Sequence, residues 1–272
     1  HGYPQLITPV DHIEPVPRRI RAVLGDRVVL DTLRALYVWE WAPYPQYYIP
    51  VADVDPEVLV DEGATERRRQ GTARIHGLRV GDLHRPGAVR VHEEDALPGL
   101  QGTARFDWDA LDAWFEEDER VYVHPRNPYA RVDALRSTRP VRIELDGVVL
   151  AETCSPVMVF ETGLPPRHYI NRTEVEFDHL VPSGTVSSCP YKGTTGDWWS
   201  VRIGETLHPD IAWSYALPTL PLTAVAGMVA FFDEHVDVIV DGELMLRPSS
   251  PFSRRCPLPR VAGGGSAEAS EG

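Results

Sequence analysis

Residues 20–60 of this chain line up with residues 141–181 without a gap. Val28-Val29-Leu30-Asp31 meets Val149-Leu150-Ala151-Glu152, Trp39-Glu40 meets Phe160-Glu161, and Tyr48-Ile49 meets Tyr169-Ile170, all at an offset of 121 residues. The offset grows to 122 at Gly71-Thr72 against Gly193-Thr194, and to 123 at Val80-Gly81-Asp82 against Ile203-Gly204-Glu205. A period this long describes two tandem domains and not a solenoid. The expected division is 18–136, 137–247 and a tail of 248–272, whose end from Val261 is rich in Gly, Ser and Glu and should be disordered.

Both units are expected to be mainly β. Val141–Val149 alternates around Asp146-Gly147, a two-residue hairpin signal. Short β-branched and aromatic runs follow at 157–161, 168–170, 198–203, 228–232 and 236–240, with turn residues between them. One helix is predicted over Asp107–Glu117, with Asp107 as N-cap and Trp108, Leu111, Trp114 and Phe115 on one apolar face. The second unit shows no counterpart, so this helix is expected to pack between domains.

The net charge of −13 argues against nucleic acid or an anionic membrane as the main partner. Cys154, Cys189 and Cys256 lie far apart with no Cys-x-x-Cys pair, which disfavours disulfides and Cys-based zinc clusters and fits a reducing cytosol. No run approaches the length of a membrane span and the first residues carry no signal-peptide pattern. The opening His1 reads as a processed or cloning-derived end. No Gly-x-Gly-x-x-Gly, Gly-x-x-x-x-Gly-Lys-Ser/Thr, His-Glu-x-x-His or Gly-x-Ser-x-Gly occurs, so no cofactor and no metal is expected.

The copies differ where chemistry is most expected. Against 26 arginines the chain has one lysine, Lys192, in the run Cys189-Pro190-Tyr191-Lys192-Gly193. Arg can replace Lys in ion pairs but cannot give up its proton or attack a carbonyl. The first unit has Arg67-Arg68-Arg69-Gln70 in that place, a loop that would resist burial without anions, while Glu40/Glu161 and Tyr48/Tyr169 are common to both. The second unit is therefore expected to carry the principal pocket, lined by Cys189, Lys192, Glu161 and Tyr169. Tyr191, Trp199, Trp213 and Tyr215 could wall it, although large aromatics serve a β core equally well. Strand alternation puts Arg167 with Tyr169 on one face and His168 on the other. His124 and Arg126, in the proline-punctuated stretch 121–133, are either part of an ion-paired linker or of a loop laid over the second unit's site.

The segments Phe160–Ile170, Cys189–Gly193, Ala212-Trp213-Ser214-Tyr215, Val229–Val238 and Asp241-Gly242 resemble the domain-of-unknown-function family number 427. Trp114–Glu119 with His124–Pro128 resembles the junction in that family's tandem bacterial members. The resemblance covers about residues 18–247 and implies the small all-β fold called the β-tent, shared with methionine sulfoxide reductase B and Mss4-like proteins. The zinc knuckles of many β-tent proteins are missing, and the family usually has two aromatics and then a proline where this chain has His168-Tyr169-Ile170-Asn171. The label nucleotidyltransferase-like, sometimes attached to the family, finds no acidic metal pair or phosphate loop here.

Two functions stay open. One is an enzyme acting on a small carbonyl or activated acyl compound, with Cys189 or Lys192 reactive and Glu161 as acid/base or orienting carboxylate. The other is a small-ligand binding module in which Lys192 and Arg167 hold an anion inside a Trp/Tyr cage. Both take a small molecule as partner, and nothing in the sequence speaks to oligomeric state.

Overall fold

The computed structural model describes residues 8–253. It is mostly β, built from antiparallel sheets, and divides into two compact units between Ala130 and Arg131. That boundary falls a few residues before the expected 136/137. The strand Val132–Arg136 pairs along Val157–Glu161 and so belongs to the second unit.

Each unit contains one seven-stranded and one four-stranded sheet, and the strand orders are the same. The N-terminal seven-stranded sheet runs Ile13–Pro15, Leu36–Val38, Gln46–Pro50, Thr103–Phe106, Leu83–His92, Gly71–Val80, Leu59–Arg68. The C-terminal one runs Val132–Arg136, Val157–Glu161, Arg167–Ile170, Val229–Phe231, Thr206–Ser214, Asp197–Ile203, Leu180–Ser183. The smaller sheets are Arg27–Thr32, Ile20–Leu24, Ala113–Glu116, Glu119–Val121, and Val148–Thr153, Val141–Leu145, Asp237–Val240, Glu243–Leu244. Irregularities repeat too: bulges at Ala22/Val23 and Ile143/Glu144, and isolated bridges Leu30–Val54 and Ala151–Val175, keep the 121-residue offset. Asp146 and Gly147 take φ of 49° and 79°, the left-handed pair that a tight two-residue hairpin between Leu145 and Val148 requires.

The predicted helix Asp107–Glu117 does not form. Trp108–Ala110 makes a single 3-10 turn, and Ala113–Glu116 is a strand paired with Ile20–Leu24. Trp114 and Glu116 are buried while Ala113 and Phe115 are half-buried, the period of a strand. Asp107 does not cap; its carboxylate accepts from Arg90 and Arg105. The segment also has a counterpart, because Asp237–Val240 pairs with Val141–Leu145 in the same way. No helix among the described residues is long and apolar enough to cross a membrane. The end of the tail lies outside the described residues.

In the C-terminal unit the seven-stranded sheet has two used faces. The inner face packs Ile170, Val201, Ile211 and Phe231 against Ile143 and Val238 of the smaller sheet. The outer face carries Val157, Tyr169, Trp198, Trp213 and Tyr215 under Leu222 and Val225. The candidate site lies on that outer face.

Candidate functional site

Ser188-Cys189 pairs with Gly193-Thr194, closing a hairpin over Pro190-Tyr191-Lys192. Gly193 has φ +97°, and a Cβ there would sit 3.3 Å from the Leu217 carbonyl oxygen, so only glycine suits the turn. Thr219 holds the turn from below: its N–H donates to the Lys192 carbonyl at 3.1 Å and its hydroxyl to the Tyr191 carbonyl at 2.6 Å. The hairpin turns the Lys192 side chain inward, where its ammonium donates to the Glu161 carboxylate. The two side chains are only 16% and 11% exposed.

Burial by itself would lower the Lys192 pKa, but Cys189, Glu161, Tyr215 and Tyr169 around it raise the pKa well above the ordinary lysine value. The amine is therefore held as a cation. Burial pushes Tyr169 up to about 12, partly offset by Lys192, and raises Tyr215 well above the ordinary phenol range. Both phenols keep their protons at neutral pH. Trp213 Nε1 donates to the Tyr169 hydroxyl at 3.2 Å, which fixes that ring in the sheet. The result is an ammonium, a carboxylate, two phenols and a thiol gathered on one sheet face.

Residues 12–117 and 133–242 each match the family described as domain of unknown function (DUF427). The chain belongs to that family. It is a tandem of two DUF427 copies, and no curated protein matches it.

The second DUF427 copy thus brings together Lys192, Cys189, Glu161, Tyr169, Trp213 and Tyr215, with Tyr191 half-buried in the turn above. Trp199 is not among them. It points to the inner face, where it packs edge-on against Phe177 at 5.7 Å and under Arg172 at 5.2 Å, and Trp198 takes the outer position. Arg167 shares the outer face but is spent elsewhere, donating to Glu234 at 2.6 Å and lying 3.5 Å from Asp233. Burial opposes its charge, and these two carboxylates more than restore it, raising its pKa. Asp233 and Glu234 appear in the sequence only inside a family-like segment, and nothing local marks them as partners of Arg167, 66 and 67 residues away. A cavity of this copy lined by Met158, His168 and Val238 does not include Cys189, Lys192, Glu161 or Tyr169, because it opens on the inner face of the sheet.

His124 and Arg126 are engaged inside the N-terminal unit. His124 stacks on Tyr44 with ring centroids 3.5 Å apart, and Arg126 lies 3.6 Å from Glu116. The arginine loop opposite the Cys/Lys hairpin finds its anions: Arg67 meets Asp95 at 2.8 Å, Arg68 meets Glu66 at 2.6 Å, and Arg69 pairs with Asp11. The first copy keeps the carboxylate and phenol, with Tyr48 donating to Glu40 at 3.0 Å, but the cation beside Glu40 is Arg105 at 3.1 Å.

His92 lies against Tyr48, ring centroids 4.9 Å apart, and its Nδ1 has no hydrogen-bond partner. Burial lowers its pKa below the ordinary 6.5. The folded state then binds fewer protons than the unfolded chain just below pH 6.5, so His92 costs no stability above that pH and an increasing amount as the pH falls through it. Urea unfolding between pH 7 and pH 5 should show the N-terminal unit weakening, and His92→Phe should flatten that part of the profile. An identical pH slope in His92→Phe would contradict the assignment.

Proposed function

We propose that the second DUF427 copy performs cysteine-dependent chemistry on a small carbonyl or activated acyl compound. Cys189 is the attacking sulfur, Lys192 a fixed cation that stabilises negative charge as it develops, and Glu161 the carboxylate that orients Lys192. Tyr169 and Tyr215 are protonated donors at the same place. The observation that carries this reading is the buried pairing of the chain's single lysine with Glu161, with Cys189 among the groups that keep it charged. In the step itself the sulfur forms a bond to the acyl carbon, the bond to the leaving group breaks, and the leaving group departs with a proton.

An imine or amine-base role fits poorly with a lysine held as a cation. The anion-binding alternative is weakened because Arg167, one of its two cations, is already paired with Glu234 and lies 3.5 Å from Asp233. The free thiols of Cys154 and Cys189 suit a reducing compartment such as the cytosol. The net charge of −13 agrees with a small-molecule partner in preference to nucleic acid or an anionic membrane.

The experiment is trapping with p-nitrophenyl acetate and, separately, with an aldehyde followed by borohydride, each mapped by peptide mass spectrometry. An acetyl group should be found on Cys189 and no reduced imine on Lys192. A borohydride-trapped adduct on Lys192, or acetylation that avoids Cys189, would refute the proposal.

A further inference from the structure

The two copies also differ in how they fill the space between their sheets. In the first copy Tyr37 and Tyr47 oppose each other on neighbouring strands with ring centroids 5.8 Å apart. Tyr47 reaches Trp114 at 5.7 Å, and Trp114 stacks on Trp108 at 5.1 Å. Tyr37, Tyr47 and Trp114 are all buried. In the second copy Met158 opposes His168 as Tyr37 opposes Tyr47, and Val238 opposes Ile143 as Trp114 opposes Ala22. Three rings have given way to smaller side chains, and a cavity of about 860 Å³ lined by Met158, His168 and Val238 occupies the region. On the outer face the Tyr48/Tyr169 position keeps its ring.

That volume lies within the ~300–1,000 Å³ typical of small-molecule pockets. Most of the wall is apolar, including Leu135, Met158, Phe160, Val238, Val240 and Met245. Leaving such a wall in water forfeits the packing that the aromatic rings supply in the first copy. The lining also carries Ser137, Arg139, Asp233, Arg247 and Ser249, and two further polar side chains, His168 and Arg136, bear on a ligand. His168 is 8% exposed, and its Nδ1 has no hydrogen-bond partner; the nearest carboxylate, Asp233, is 3.6 Å away, too long for a hydrogen bond. Arg136 is exposed and carries no ion pair among the described residues, whereas Arg139 and Arg247 are paired with Asp241 and Asp237.

We infer that this cavity is a ligand site for a small amphipathic acid, with its apolar body between the sheets, its anionic group at Arg136 and a polar atom in reach of His168. The site is separate from the Cys189 cluster, since His168 and Tyr169 alternate across the sheet between them. An apolar body accounts for the lost rings, and a single negative charge for Arg136, the one of the three lining arginines with no ion pair among the described residues.

The test is calorimetric titration of the full chain with decanoate, 6-hydroxy-2-naphthoate, and 2-naphthol, which keeps rings and hydroxyl but lacks the carboxylate. At least one of the two acids should bind saturably at one site. Met158→Tyr and His168→Tyr, each restoring a first-copy ring, should weaken that binding about tenfold or more while the protein stays folded. Arg136→Ala should weaken binding of the acid severalfold and leave 2-naphthol unaffected. Failure of both acids to bind the full chain would overturn the inference, whether its own C-terminal residues or a second copy already fills the space. So would undiminished binding in both ring-restoring variants, or an Arg136→Ala loss equal for acid and naphthol.

Discussion

Glu161→Ala is expected to destabilise the C-terminal unit by about 3 kcal/mol, because it leaves the Lys192 ammonium buried with no countercharge. The side chains are 16% and 11% exposed, so solvent screens the pair little. The turn above is fixed by Thr219 and Gly193 and cannot simply swing the amine out to water. The double variant Glu161→Leu/Lys192→Met removes both charges and should recover most of the loss, since an apolar pair of similar volume often replaces a buried ion pair at little cost. Urea unfolding followed by the fluorescence of Trp198, Trp199 and Trp213 would report it. A Glu161→Ala cost under about 1 kcal/mol, the scale of an exposed pair, would mean that the cluster is open to water and not pre-organised.

The duplication was legible because strand alternation and turn positions constrain a sequence at every residue. A constant 121-residue offset from position 20 to position 60 anticipates the same strand order, the same bulge and the same isolated bridge in both copies. The Lys192–Glu161 contact was legible by a different route. Comparing copies leaves Glu as shared and Lys as new, and the two meet across 31 residues because the Cys189–Gly193 hairpin folds back over the Val157–Glu161 strand.

What stayed hidden depends on partners distant in sequence. Trp108, Leu111 and Trp114 have helical spacing, but a 3-10 turn followed by a strand gives the same apolar positions. The strand wins because Ile20–Leu24, more than ninety residues earlier, offers it an edge. Trp198 and Trp199 are adjacent and equally large, so the sequence does not say which one faces the site. The register with Thr206–Ser214, bulged at Trp199/Val201, decides it. Arg167 looked available for an anion because Asp233 and Glu234 lie beyond the local window. The cavity was least legible, because exchanging Tyr37, Tyr47 and Trp114 for Met158, His168 and Val238 signals space only when the three positions are seen to border one volume.

The central claim is that Lys192 serves the sulfur of Cys189, and Cys154 supplies an internal reference for it. Cys154 is exposed and Cys189 half-buried, so access alone would make Cys154 the faster thiol. Alkylation with limiting iodoacetamide at pH 7, quantified at each cysteine by peptide mass spectrometry, separates the two effects. Cys189 should react about tenfold faster than Cys154, because a neighbouring cation stabilises the sulfur anion that attacks. Lys192→Arg, which keeps the charge, should preserve most of that advantage, and the folded Lys192→Met protein should lose it. Cys189 reacting no faster than Cys154, or at the same rate with Met at position 192, would contradict the account.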